Sequence, residues 1–315
     1  MRKNVGIILS LLLLLSFFLS ACPSVERGRE EEKKLRVVVT LFPLYDFARQ
    51  VGGNKVDVSL LLPPGVEAHA FEPRPADITR IERAACLIFT GQAMEPWVTA
   101  LLTGLERRTL TVIDTSRDIP KKLDRHPAGH PAARGHDHAQ DPHIWLDFAN
   151  AMTMVDTIAR GFAALDPQNR AFYAANAERY KGKLADLDRN YREALARCHG
   201  KVIVHAGHFV FGYLADRYNL TYVSAYRGFS PNAEPSPKML AALIQTIRKY
   251  DVKAIYHEEL VSPRVAEAVA RETGLPLLML HGAHNMTREE MSHGVTFVQL
   301  MEKNLENLRK GLQCP

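Results

Sequence analysis

The residues that invite a chemical reading are the histidines, thirteen in 315 residues. A neutral imidazole is the commonest protein ligand for a transition metal, and clusters of them suit zinc, with copper and nickel as chemical competitors. Five histidines crowd into "RHPAGHPAARGHDHAQDPHIWLD" (125–147). Crowding is not a site, because a mobile segment loses conformational entropy when it orders around an ion. A better filter is position. In open parallel α/β sheets, ligands bind beyond the carboxyl ends of the strands. His69 in "LLPPGVEAHAFEPRPADI", His143 in "DPHIWLD", His208 in "VIVHAGHFVFGY", and His281 and His284 in "LLMLHGAHN" pass that filter. Two lie in the first half of the chain and the rest in the second, so a cleft between two halves would gather them. His205 shares a segment with His208 and is read as a hydrogen-bonded core histidine.

The elements that must position these residues alternate. Strand-like runs are "LRVVVTLF" (35–42), "KVDVSLLLP" (55–63), "CLIFTG" (86–91), "TLTVID" (109–114), "KVIVHAG" (201–207), "TYVSAY" (221–226), "VKAIYHE" (252–258) and "LPLLML" (275–280). Helical spacing separates most of them, as in "PADITRIERA", "SPKMLAALIQTIRKYD" and "SPRVAEAVARETG". The pattern predicts an α/β fold of two lobes, each with a mainly parallel sheet flanked by helices. The N-terminal lobe is expected over 35–166, with a His-rich loop at 125–140. A long rigid helix over 167–198 bridges it to the C-terminal lobe, 199–315, and the site falls in the interlobe cleft.

Arg2 and Lys3 precede the apolar "VGIILSLLLLLSFFLS", which has the length and flanks of a signal peptide. It ends in Leu19-Ser20-Ala21-Cys22, a lipobox-like sequence. Residues 1–21 are therefore read as removed, Cys22 as the lipidated anchor, and residues 22–34 as a flexible tether. The protein is expected outside the cytoplasm, anchored to a membrane through its lipid. Without Arg2 and Lys3 the 40 basic residues become 38 against 35 acidic ones, a balance that gives no support to a nucleic-acid partner. Cys198 and Cys314 are candidates for a disulfide in that oxidising location, a pairing sequence leaves open. Cys86 reads as a buried small hydrophobe. The absence of HExxH, G-x-S-x-G and phosphate-loop motifs argues for binding rather than catalysis. A zinc-dependent hydrolase is the alternative from another class.

Six stretches, in order, carry a resemblance. They are "GVEAHAFEPRPADI", "DPHIWLD", "HFVFGYLADRYNL", "GFSPNAEPSPKML", "HEELVSPRVAEAVARETG" and "LMEKNLENL". Together they resemble the solute-binding lipoproteins of metal-importing ABC transporters, the zinc and manganese family, in its zinc-uptake branch. The resemblance implies a monomer that binds Zn²⁺ between its lobes and delivers it to a membrane permease. It makes His69, His143 and His208 metal ligands, and histidine at the third position points to zinc where manganese binders tend to carry glutamate. The family's usual fourth ligand, a carboxylate, is missing from "LHGAHN". His284 is preferred there, with His281 or a water molecule as alternatives. Glu258 is a candidate to orient a ligand imidazole. His126, His130, His136 and His138 are read as an accessory zinc-capturing loop or a solvated linker. Manganese or another divalent transition metal remains the alternative cargo.

Overall fold

The computed structural model describes residues 34–69, 71–105, 110–120, 140–225 and 235–315. The signal peptide, Cys22 and the tether up to residue 33 lie outside the described residues, as do His126, His130, His136 and His138.

Two four-stranded parallel sheets form the frame. β1 (Leu35–Val39), β2 (Val56–Leu60), β3 (Cys86–Phe89) and β4 (Thr111–Asp114) stand in the order β2-β1-β3-β4. β5 (Val202–His205), β6 (Thr221–Ser224), β7 (Ile255–His257) and β8 (Leu277–Met279) repeat it as β6-β5-β7-β8. The β-branched and aliphatic runs become strands because both sheet faces are covered, as in other parallel sheets. Cys86 is fully buried in β3.

The first lobe's helices are α1 (Phe42–Gly52), α2 (Pro75–Glu82) and α3 (Trp97–Gly104). α4 (Phe148–Leu165) and α5 (Arg170–Ala196) follow. The second lobe holds α6 (Gly212–Arg217), α7 (Pro237–Lys249), α8 (Arg264–Thr273), α9 (Arg288–Ser292) and α10 (Phe297–Gly311). α5 has 27 residues, so it spans about 40 Å at 1.5 Å per residue. It buries Tyr173, Ala177, Tyr180, Leu184, Leu187, Tyr191 and Leu195, a stripe at helical spacing. That stripe touches both lobes. Tyr180 donates to Asp46 of α1 at 2.8 Å, and Tyr191 donates to the Met301 carbonyl of α10 at 2.5 Å. Asp46 also accepts the Phe297 N–H at 3.0 Å, tying the start of α10 to α1. One continuous core joins these helices, with Phe47, Phe148 and Phe297 in edge-to-face contact. Cys198, just past α5, forms a disulfide with Cys314 and fixes the C-terminus there.

Arg217 connects the frame to the site. Its guanidinium donates to Asp188 of α5 at 2.7 Å through Nε and again through Nη2. It also donates to Asp147 at 2.8 Å. Asp147 caps α4 by accepting the Ala149 N–H at 2.8 Å, four residues after His143. Burial works to raise the Asp188 carboxyl, but Arg217, Tyr218 and Arg192 outweigh it and hold it down at about 2. A carboxylate depressed in the folded state contributes stability above its ordinary value near 3.8, and that contribution is lost as pH falls toward 2. Asp188→Asn should therefore destabilise the protein by about 1–2 kcal/mol at neutral pH. The difference between the two proteins should close between about pH 4 and pH 2 in thermal or urea unfolding.

Candidate metal centre

Four histidines meet at the carboxyl ends of four strands. His69 follows β2, His143 lies on the segment between β4 and α4, His208 follows β5 and His284 follows β8. One ligand atom from each lies within 4.8 Å of the other three. The six ring-centroid distances among them run from 4.9 to 5.6 Å. Four points that are nearly equidistant in all six pairs form a tetrahedron, the geometry zinc adopts with nitrogen donors.

Hydrogen bonding decides which nitrogen of each ring is left for an ion. Asp141 Oδ1 lies 2.8 Å from His143 Nδ1 and also accepts the His143 backbone N–H at 3.0 Å. Glu258 Oε2 approaches His208 Nδ1 at 2.6 Å, off the line of a well-aligned hydrogen bond. Glu259 Oε1 stands 3.5 Å from His284 Nδ1. Each carboxylate occupies a Nδ1 side and leaves Nε2 as the donor. The Nε2 atoms of His69, His208 and His284 are buried without a hydrogen-bond partner. A buried polar atom without a partner costs about 1–3 kcal/mol, so three around one point mark a place shaped for an ion.

Burial, then repulsion from His284 and His208, holds His69 down to about 2. Burial, then His284, holds His208 down to about 3 despite Glu259 and Glu67. His143 is lowered well below its ordinary value by burial and the neighbouring imidazoles. These rings stand as neutral donors. Burial pushes Glu258 up to about 7, so its contact with His208 is that of a neutral imidazole rather than an ion pair.

Residues 37–311 match the model of the family described as zinc-uptake complex component A, periplasmic. The chain belongs to this family. Zinc-binding protein AdcA of Streptococcus pyogenes serotype M18 is 34% identical over 321 residues. That match covers 98% of this chain and 61% of AdcA, so the chain spans about three fifths of that relative's length. High-affinity zinc uptake system protein ZnuA of Bacillus subtilis (strain 168) is 34% identical over 294 residues, 92% of each protein. Among solved structures, the Zn(II)-bound ZnuA-like domain of Streptococcus pneumoniae AdcA aligns with a TM-score of 0.75 at 32% identity. That alignment covers 89% of this chain and 99% of the domain.

Within this family frame, the cluster holds His284 and leaves His281 out. His281 lies between Glu259 at 3.5 Å and Glu290 at 3.6 Å. The Ala283 N–H donates to its Nδ1 at 2.9 Å, and Asn304 accepts its backbone N–H at 2.7 Å. The ring is thus engaged with the second lobe, not with the other three ligand candidates. The chain turns between the two histidines at Ala283, whose φ of 59° is uncommon for a residue with a side chain. Glu258 is buried against His208 rather than paired at the surface. His205 has Nδ1 within 3.0 Å of the Tyr222 hydroxyl and 3.1 Å of the His208 carbonyl, as a core histidine would.

Three contributors were missed in the sequence: Asp141, Glu259 and Trp145. Asp141 was signalled by its place two residues before His143, the spacing at which an aspartate accepts the backbone N–H two positions on. Glu259 accepts the Gly282 N–H at 2.6 Å as well as facing His281 and His284. Burial alone would raise it, yet His281 and His284 hold it at about 2. Trp145 donates from Nε1 to the Gly282 carbonyl at 2.7 Å, linking the His143 segment to the His284 loop. Removing the group that orients a ligand imidazole typically weakens metal binding by about 10–100-fold. Asp141→Asn and Glu259→Gln should each lower zinc affinity within that range while the protein stays folded, as competition against a chromophoric chelator would read.

Proposed function

We propose that this protein is the extracytoplasmic solute-binding component of an ABC importer, capturing Zn²⁺ between its lobes and delivering it to a membrane permease. The near-regular tetrahedron of His69, His143, His208 and His284, drawn from both lobes, carries the reading. Four neutral nitrogen donors with no oxygen donor favour zinc over manganese, which prefers oxygen-rich sites. The names of the curated relatives and the Zn(II)-bound neighbour support the same cargo. Zn²⁺ is the transported substrate, and the imidazoles exchange places with its water ligands.

Zinc–nitrogen bonds of about 2.0–2.1 Å place the donors of a tetrahedral ion about 3.3–3.4 Å apart. Nitrogens now up to 4.8 Å apart would draw together as the ion is bound. α5 and its core contacts restrain the lobes, so loops rather than whole lobes supply that movement. Small-angle scattering should show a radius of gyration near 19 Å, changed by less than about 1 Å when zinc is added. Cys22 serves as the lipid anchor in this reading, which keeps a monomeric protein beside its permease. The 125–140 loop acts as an accessory zinc collector.

Elemental analysis with competitive zinc titration tests the assignment. The intact protein should bind one tight zinc. His143→Ala should weaken binding by at least about a hundredfold, while deletion of residues 126–138 should leave the tight site in place. Tight binding abolished by the deletion and retained in His143→Ala would move the receptor to the loop. Turnover of ester or amide substrates, dependent on zinc and lost in His143→Ala, would instead support the hydrolase.

A further inference from the structure

The four donors come from separate segments; Trp145 bonds the His143 segment to the His284 loop, and the His69 turn is bonded to that same loop across the cleft by protein groups alone. The turn after β2 carries His69, and the loop after β8 carries His284. Asn285 is fully buried beside His284. Its Nδ2 donates to the Pro63 carbonyl at 2.7 Å and to the Val66 carbonyl at 2.8 Å. Its Oδ1 accepts the Met286 N–H at 2.8 Å, within its own loop. The Gly65 N–H donates back to the Met286 carbonyl at 2.8 Å. A carboxamide suits this place because it offers two donors and an acceptor at once. Alanine offers none, and an ionised aspartate offers acceptors only.

His143 and His208 are oriented differently. Each has a carboxylate at Nδ1, Asp141 for one and Glu258 for the other. His69 itself gives its backbone N–H to Glu67 at 2.7 Å, a bond within the turn that does not fix where the turn sits relative to the second lobe. The Asn285 bonds do. We propose that Asn285 is a positioning residue for metal capture: it holds the His69 turn against the His284 loop, so the two donors meet the ion as one preassembled pair. Ordering already present in the metal-free protein is not lost again on binding, and the gain appears as affinity. This rests on the reading of the histidine cluster as the zinc site.

The test is a set of double-mutant cycles read by competitive zinc titration on the intact protein. Asn285→Ala is combined in turn with His69→Ala, His143→Ala and His284→Ala. Alone and with His143→Ala it should weaken zinc binding about tenfold or more. With His69→Ala its further effect should shrink to about twofold or less, the limit for a partner already removed. Asn285→Asp keeps an acceptor for Met286 but no donor for Pro63 and Val66, and should repeat the pattern if the alanine variant does not fold. Independently of any metal, hydrogen exchange at the Gly65 amide should accelerate in Asn285→Ala. Losses equal in the His69→Ala and His143→Ala backgrounds, and abolished only by His284→Ala, would make Asn285 a local support of its own loop and overturn the proposal. An unmutated protein without a tight zinc would overturn the zinc reading instead.

Discussion

Hiding the Nε2 nitrogens of His69, His208 and His284 from water at a single point, with no hydrogen-bond partner among the described residues, is the condition that the rest of this structure has to meet. Each such nitrogen loses hydration and gains nothing until an ion arrives. Left to themselves the four rings would turn outward or the loops would separate. They are held because the opposite side of the problem is solved locally: Asp141, Glu258 and Glu259 face the outer nitrogens of three rings. Trp145 packs against both His143 and His284, with ring centroids 5.7 and 5.4 Å away, and closes part of the space to solvent. The frustration is confined to the inward-facing atoms.

Sheet topology explains how residues far apart in sequence reach that arrangement. β7 lies between β5 and β8 in register, with His205 beside Tyr256 and His257 beside Met279. Whatever leaves the end of β7 therefore stands between what leaves β5 and what leaves β8. Glu258 and Glu259 are consecutive there, just past the end of β7 where the chain bends. One meets His208 beyond β5, and the other meets His281 and His284 beyond β8. A dipeptide at the centre of the sheet thus orients donors from both neighbouring strands.

Much of this was readable from the chain. All eight strands fall within their predicted runs, because parallel strands buried on both faces announce themselves as short aliphatic segments. α5 was expected over 167–198, and its α-helical part runs from Arg170 to Ala196 after a short turn. α3 was not anticipated. "WVTALLTG" is apolar around most of its circumference and buries only Val98 fully, so it lacks a one-sided stripe. The choice between His281 and His284 turns on the backbone at Ala283, since nothing in an alanine signals a positive φ. Glu259 was passed over for Glu258 because sidedness at the end of a strand depends on which strands flank it, and strand order is not written in any local pattern. The Cys198–Cys314 bond joins residues 116 apart, a closeness that emerges only once α10 has packed beside α5.

Charge supplies the last constraint. Four neutral donors leave a bound dication with its full charge, which would be costly in a buried space. The carboxylates that compensate are placed one atom layer back, on the far nitrogens of the rings, instead of on the ion. Glu259 remains ionised there because His281 stands against it, and Glu290 flanks His281 in turn. The site can thus attract a divalent cation without presenting it with oxygen. That separation is what allows affinity to be raised by anions while selectivity stays with nitrogen. It also gives His281 a place in the centre without being a donor, set between Glu259 and Glu290 behind His284.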